Sequence, residues 1–278
     1  MNPYRGRFAP SPTGDLHFGS LVTAVASYLD ARRAGGEWLV RIEDVDQPRM
    51  VPGAADRILQ CLEAYGMHWD GAVMYQSQRG EAYAAALGRL GDLVYGCGCT
   101  RSELAQHDVR REYYPGTCRD GLAPGRVTRS QRLRVPDRDL HWEDRRLGPQ
   151  RENLAASVGD FVLRRADGLW AYQLAVVVDD GAQGITDIVR GEDLLTSTAR
   201  QIYLQELLHL PRPRYRHVPI ALDAQGQKLS KQTQALAVPP SGSSSVLSEA
   251  LRFLGEPVDS ELDEIALIWQ WAISRHLT

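Results

Sequence analysis

Lysine is nearly missing from this chain. Of its 32 lysine and arginine residues only Lys228 and Lys231 are lysine, which excludes a lysine-rich tail or patch as the means of holding an anionic partner. Cysteine is scarce as well, and four in 278 residues exclude the disulfide framework on which small secreted domains depend. No apolar run approaches the ~18 residues of a membrane span, and residues 1–8 lack the apolar core of a signal peptide. The expectation is a cytoplasmic protein with no membrane association. A net charge of -3 excludes indiscriminate binding to nucleic acid. No Ser/His/Asp arrangement is present to supply a covalent nucleophile.

What is present is ordinary in bulk and uneven in detail. Apolar content of 43% and charge of 24% suit one large α/β domain with an insertion, or two small domains. Arginines crowd the stretch from Arg101 to Arg165, and Arg212, Arg214 and Arg216 with His217 form a second cluster. Such patches either track a phosphate backbone or form a solvated charged face. The absence of an obvious exposed apolar helix face suggests a monomer.

The two lysines stand in Lys228-Leu229-Ser230-Lys231, a proximity that random placement would give roughly one time in fifty. Lysine offers a compact ammonium on a flexible stem, able to follow a moving phosphate as arginine's planar fork cannot. A second phosphate-handling signature lies near the N-terminus. A strand at about 4–8 enters the turn Ala9-Pro10-Ser11-Pro12-Thr13-Gly14, and Leu16-His17-Phe18-Gly19-Ser20 opens a helix whose apolar residues are Leu21, Val22, Val25, Ala26 and Leu29. Free N–H groups at such a helix start favour anions, and glycines 14 and 19 allow close backbone approach.

Further along, periodicity and turn residues predict a strand at 38–42, helices at 54–65 and 80–93, strands at 161–164, 169–172 and 185–189, a helix at 196–208 and a strand at 215–222. A Pro/Ser/Gly linker at 239–245 leads to helices at about 246–254 and 260–274. This gives four segments: 1–96 and 160–238 as two halves of a Rossmann-type parallel sheet, 97–159 as an insertion, and 239–278 as linker and C-terminal helices. Cys97-Gly98-Cys99 with Cys118 resembles a zinc site lacking one ligand, for which His107, Tyr114 and Cys61 are candidates.

Five motifs in order carry a family resemblance across most of residues 4–232. Arg7-Phe8-Ala9-Pro10-Ser11-Pro12-Thr13-Gly14 with Leu16-His17-Phe18-Gly19 resembles the "HIGH" region of class I glutamyl-tRNA synthetases, and Lys228-Leu229-Ser230-Lys231 their "KMSKS" loop. Between them stand Arg41-Ile42-Glu43-Asp44, the run from Tyr172 to Asp180, and Ile188-Val189-Arg190-Gly191-Glu192-Asp193-Leu194. Ser20 replaces the second histidine of the first pattern and Gln232 the last serine of the other; both positions read as peripheral.

The resemblance implies an α/β class I synthetase that activates glutamate with ATP and Mg²⁺. His17, Lys228 and Lys231 would be catalytic, and His17, Gly19, Lys228 and Lys231 would hold ATP. Glutamate would meet Arg7, Phe8, Ala9, Pro10, Ser11, Glu43, Tyr172 and Arg190, with Arg7 and Arg190 on carboxylates and Glu43 on the α-ammonium. Fewer than 50 residues follow Lys231, where full-length members carry an anticodon-binding domain. The chain therefore resembles the truncated paralogues, which place glutamate on the queuosine base at the wobble position of tRNA(Asp). In those paralogues the pattern Cys-x-Cys, Tyr, Cys recurs, implying one structural Zn²⁺ on Cys97, Cys99, Tyr114 and Cys118. A shortened synthetase charging a 3′ end and a catalytically inactive RNA-binding or glutamate-sensing paralogue are the alternatives.

Overall fold

Short buried strands alternate with helices to build a parallel sheet in two halves. The structure, a computed structural model, describes residues 3–107, 113–221 and 237–275. Lys228, Lys231 and Gln232 lie outside the described residues. The elements are β1 (Arg5–Phe8), α1 (Phe18–Arg33), β2 (Glu37–Ile42), α2 (Ala54–Ala64), β3 (Met74–Tyr75), α3 (Gly80–Arg89), β4 (Val94–Cys97), α4 (Arg101–His107), β5 (Ser130–Leu133), β6 (Asp139–Asp144), β7 (Gly148–Asn153), α5 (Leu154–Ser157), β8 (Phe161–Arg164), α6 (Tyr172–Ala182), β9 (Asp187–Gly191), α7 (Thr198–Leu207), β10 (Arg214–Val218), α8 (Ser244–Phe253) and α9 (Ile265–Ser274). No helix among the described residues is long and apolar enough to cross a membrane.

The first half is a parallel sheet in the order β1-β2-β3, and the second is a sheet in the order β7-β6-β10-β9. They meet edge to edge: the Arg5 N–H donates to Thr186 Oγ1 (2.8 Å) and the Thr186 N–H to the Arg5 carbonyl (2.9 Å). From this seam the chain winds outward in both directions, through β2 to β3 and from β9 to β10. In an open α/β sheet that reversal leaves a crevice at the carboxyl ends of the strands, where ligands bind.

The first helix ends where the glycine pair requires it to. Gly35 takes φ 60°, and a Cβ on Gly36 would stand 2.3 Å from the Tyr4 carbonyl oxygen. Arg32 and Arg33 in the last turn suit the negative end of the helix dipole. The C-terminal helices dock on this half. Trp269 Nε1 donates to the Tyr65 carbonyl (2.7 Å), Tyr28 meets Trp38 and Trp269 edge to face, and Arg33 clasps Glu256 at 2.6 and 2.9 Å.

Two stretches differ in kind from the periodicity, and three elements are shorter than it predicts, with α3 ending at Arg89, β10 at Val218 and α9 beginning at Ile265. Residues 169–172 form no strand: Trp170 makes a single bridge with Arg164, and Tyr172 opens α6. Burial of Leu174, Ala175, Val176 and Val177 outweighs the aromatic residues' preference for strand. The arginine-rich stretch 97–159 contributes strands to two sheets. Its β5 pairs antiparallel with β4 and β8, and its β6–β7 hairpin joins the second half through a parallel contact of Asp144 with Tyr215.

One carboxylate ties the halves together beneath the crevice. Asp180 of α6 accepts from Arg7 Nε of β1 (3.1 Å) and from an Arg41 terminal nitrogen of β2 (2.8 Å). All three side chains are buried. Burial pushes the Asp180 carboxyl up, but Arg41 and Arg7 outweigh it and hold the group below the usual carboxylate range. The neighbouring Asp179 anchors Tyr83, Gln76 and Arg79 at 2.5, 2.9 and 3.0 Å. Removing Asp180 leaves the buried Arg7 without its carboxylate and Arg41 with Glu43 alone, so Asp180→Ala should cost about 3–5 kcal/mol of stability. Urea unfolding at neutral pH measures this, and a loss below about 1 kcal/mol would contradict the assignment.

Candidate active site and metal centre

A cavity of about 560 Å³ opens at the carboxyl ends of β1, β2, β9 and β10. Arg7, Phe8, Ala9, Pro10, Ser11, His17, Gly19, Glu43, Tyr172 and Arg190, singled out in the sequence for substrate and ATP, all line it. Ala221 lines it as well, and Ala237 forms a bridge with His17.

The motif loop is held from two sides. The Glu43 N–H donates to the Pro10 carbonyl (2.9 Å), fixing the end of β2 against the loop after β1. His17 caps α1, its Nδ1 accepting from the Ser20 N–H at 3.3 Å while Nε2 meets Ser20 Oγ at 2.9 Å. Ser20 is thus not peripheral to His17, since it contacts the imidazole directly. Glu43 sits 3.3 Å from Arg41, and its carboxyl is lifted above the usual range because burial outweighs Arg41 and Arg7. Burial likewise lifts the Tyr172 phenol, with Glu43 adding to it.

Arg190 of β9 carries the most informative geometry. Its guanidinium is buried and donates to His217 Nε2 (3.0 Å), Gln201 Oε1 (2.6 Å) and Thr198 Oγ1 (2.8 Å). Every one of these acceptors is electrically neutral provided His217 is unprotonated. Its other ring nitrogen, Nδ1, lies 2.6 Å from Asp144. Burial pushes the His217 imidazole down, the Arg190 charge pushes it further, and Asp144 restores only part, leaving it at about 4.

His217, Asp144 and Gln201 carry no sequence motif. His217 reaches Arg190 because the β9–β10 register sets the two opposite each other. The cavity rim holds a further unassigned group, in which Asp46 pairs with Arg165 at 2.9 Å and with Arg49 at 3.6 Å. Asp46 stands in the acidic run after β2, three residues beyond Glu43, and that run was the only sequence signal for it.

The cysteine cluster forms apart from the cavity. The sulfurs of Cys97, Cys99 and Cys118 lie within 4.8 Å of one another, with Cys99 and Cys118 at 3.6 Å. The Tyr114 hydroxyl stands 3.5 Å from Cys97 Sγ. Two thiolates on one tetrahedral zinc stand about 3.8 Å apart, and a thiolate and an oxygen ligand about 3.6 Å, so the donor set fits. Cys61 belongs to the core of the first half instead. Burial raises Cys97, but the Tyr114 hydroxyl, the Cys99 backbone and Arg132 bring it down to about 7, whereas burial and its neighbouring thiols push Cys99 up to about 12.

The family model for tRNA synthetases class I (E and Q), catalytic domain, matches residues 4–242. Two curated relatives extend the match. A glutamyl-Q tRNA(Asp) synthetase of Thiobacillus denitrificans is 58% identical over 94% of this chain and 89% of its own length. Another, of Dechloromonas aromatica, is 57% identical over 98% of this chain and 93% of its own. This chain belongs to the glutamyl-Q tRNA(Asp) synthetase family. Among solved structures, a glutamate tRNA ligase from Elizabethkingia meningosepticum, in complex with its amino acid, is 32% identical, with a TM-score of 0.73 over 83% of this chain and 52% of that one. The chain spans about half the length of that ligase.

The low His217 pKa gives a pH dependence with a definite sign. Unfolded, the imidazole takes a proton near pH 6.5; folded, it refuses one until about 4. Its contribution to stability is therefore complete above 6.5, falls as pH drops through that window, and is lost below it. Between the two limits the wild type should lose roughly 3 kcal/mol more than His217→Gln. Parallel urea midpoints of the two proteins from pH 7 to 4 would contradict the neutral assignment.

Proposed function

We propose that this chain activates glutamate with ATP and transfers the glutamyl group to the queuosine base at the wobble position of tRNA(Asp). The near-complete overlap with glutamyl-Q tRNA(Asp) synthetases carries this reading. The cavity's chemistry is consistent with it. Glutamate has two anionic ends and one cationic end, and the cavity offers Arg7 and Arg190 for carboxylates and Glu43 for the ammonium.

In the first step the α-carboxylate attacks the α-phosphorus of ATP, pyrophosphate departs, and glutamyl adenylate forms. Catalysis of such a displacement is mostly positioning and charge neutralisation. His17 and Gly19 stand at the start of α1, the positive end of the helix dipole, which favours phosphate. Lys228 and Lys231 are assigned to the departing phosphates by their motif. In the second step a hydroxyl of the RNA attacks the acyl carbon and AMP leaves. No covalent enzyme intermediate is needed.

The cysteine cluster takes a structural Zn²⁺ in this reading, held by Cys97, Cys99, Cys118 and the Tyr114 oxygen. Bound there, the ion supplies a cross-link and the charge that lets buried thiols and a phenol ionise. Purified protein should contain one zinc per chain, and Cys99→Ser should lower both zinc content and stability. Metal-free protein with an unchanged unfolding midpoint would remove the zinc from the account.

The functional test is transfer of labelled glutamate, with ATP and Mg²⁺, onto total tRNA from cells that make queuosine and cells that cannot. Label is expected only in the queuosine-containing pool. Equal labelling of both pools would establish 3′-end charging instead, and no labelling of either would leave an inactive paralogue.

A further inference from the structure

We propose that His217 is a positioning residue for glutamate selection: its neutral imidazole, oriented by Asp144, aims the Arg190 guanidinium at the cavity without neutralising its charge. This rests on the reading of the cavity as a glutamate site.

Arginine has five N–H donors and no acceptor, and its usual buried partner is a carboxylate. Arg190 has none: among the described residues no carboxylate lies within ion-pair distance of it, and its acceptors are His217, Gln201 and Thr198. A buried guanidinium kept in that state is poised for a counter-charge that arrives with a ligand. An aspartate at the histidine position would neutralise it beforehand. A second donor there would push it away.

The imidazole must therefore present a lone pair at Nε2 and carry its proton on Nδ1. Asp144 enforces this. Its Oδ1 accepts from the Arg146 and Leu147 N–H groups, each at 3.0 Å, and its Oδ2 takes the His217 N–H (3.1 Å) and the Nδ1 proton (2.6 Å). A carboxylate fixed by backbone donors fixes the tautomer of the ring it holds. The other charges near the ring are Glu192, just past β9, and Arg146, which pairs with Glu192 and bonds the His217 carbonyl. Tyr215 stacks on the ring at 6.3 Å. The result is selection by charge as well as shape, because the amide of glutamine would meet the Arg190 donors with a donor of its own.

Glutamate- and glutamine-dependent ATP–pyrophosphate exchange, with the full chain and queuosine-containing tRNA present, tests the proposal. In Asp144→Asn one side of the former carboxylate becomes an NH₂: turned to Nδ1 it forces the proton onto Nε2, donor against donor, and turned to the Arg146 and Leu147 N–H groups it breaks the anchor that holds the ring. KM for glutamate should rise about tenfold or more and the preference over glutamine should fall by a similar factor, with kcat changing by less than about threefold. His217→Leu should behave alike. His217→Gln, whose amide oxygen can stand where Nε2 stood, should recover most of the loss, and this pair decides the matter if Asp144→Asn does not fold. Wild-type KM and preference in His217→Leu, or equal losses in the leucine and glutamine variants, would overturn the proposal. Absence of glutamate-dependent exchange in the wild type would instead overturn the proposed function.

Discussion

The buried carboxylate of Asp180 holds Arg7 and Arg41, and with them the ends of β1 and β2, against α6. Without it Arg7 would lose its carboxylate partner at the seam between the two half-sheets, and Arg41 would keep only Glu43. The seam sets the position of everything above it: the motif loop after β1, Glu43 after β2 and Arg190 at the end of β9 reach one cavity because their strands run parallel and end together. A buried ion pair is weak evidence for net stability. Here it is better understood as a register device, joining three elements that are distant in sequence.

Charge in the cavity is arranged rather than merely present. Arg7 is offset by Asp180, Glu43 is shared with Arg41, and Arg190 is held by neutral groups while a carboxylate stands one imidazole away. The distinction matters for a substrate that is anionic at two ends. A cation already paired with a carboxylate, as Arg7 is, offers a ligand only part of its charge, whereas one aligned by neutral acceptors offers its whole charge in a fixed direction.

Part of this was legible in the sequence because the loop after β1, Glu43 and Arg190 lie at or just past strand ends, where residues are constrained by chemistry more than by packing. The loop from Ala9 to Gly14 reads as a strand-to-helix turn, Glu43 and Arg190 come through the family resemblance, and strand spacing predicts β1, β2 and β8 closely. What sequence could not provide came from pairing between strands. The partnership of His217 with Arg190 exists only through the β9–β10 register, and Asp144 joins them because a hairpin from the arginine-rich stretch enters the second half-sheet. Ser20 was misjudged for a related reason: its contact with His17 follows from the cap geometry of α1, which residue type alone does not reveal. Residues 169–172 read as strand by composition and fold otherwise because tertiary burial of the next turn decides.

The most direct test of the account is a crystal structure of the protein with glutamate bound. The account predicts one glutamate at the β1–β9 seam, a carboxylate bonded to Arg190, the other near Arg7 and the ammonium at Glu43, with the Arg190–His217 bond intact. Glutamate bound elsewhere, or seated in the cavity with neither carboxylate touching Arg190, would contradict it.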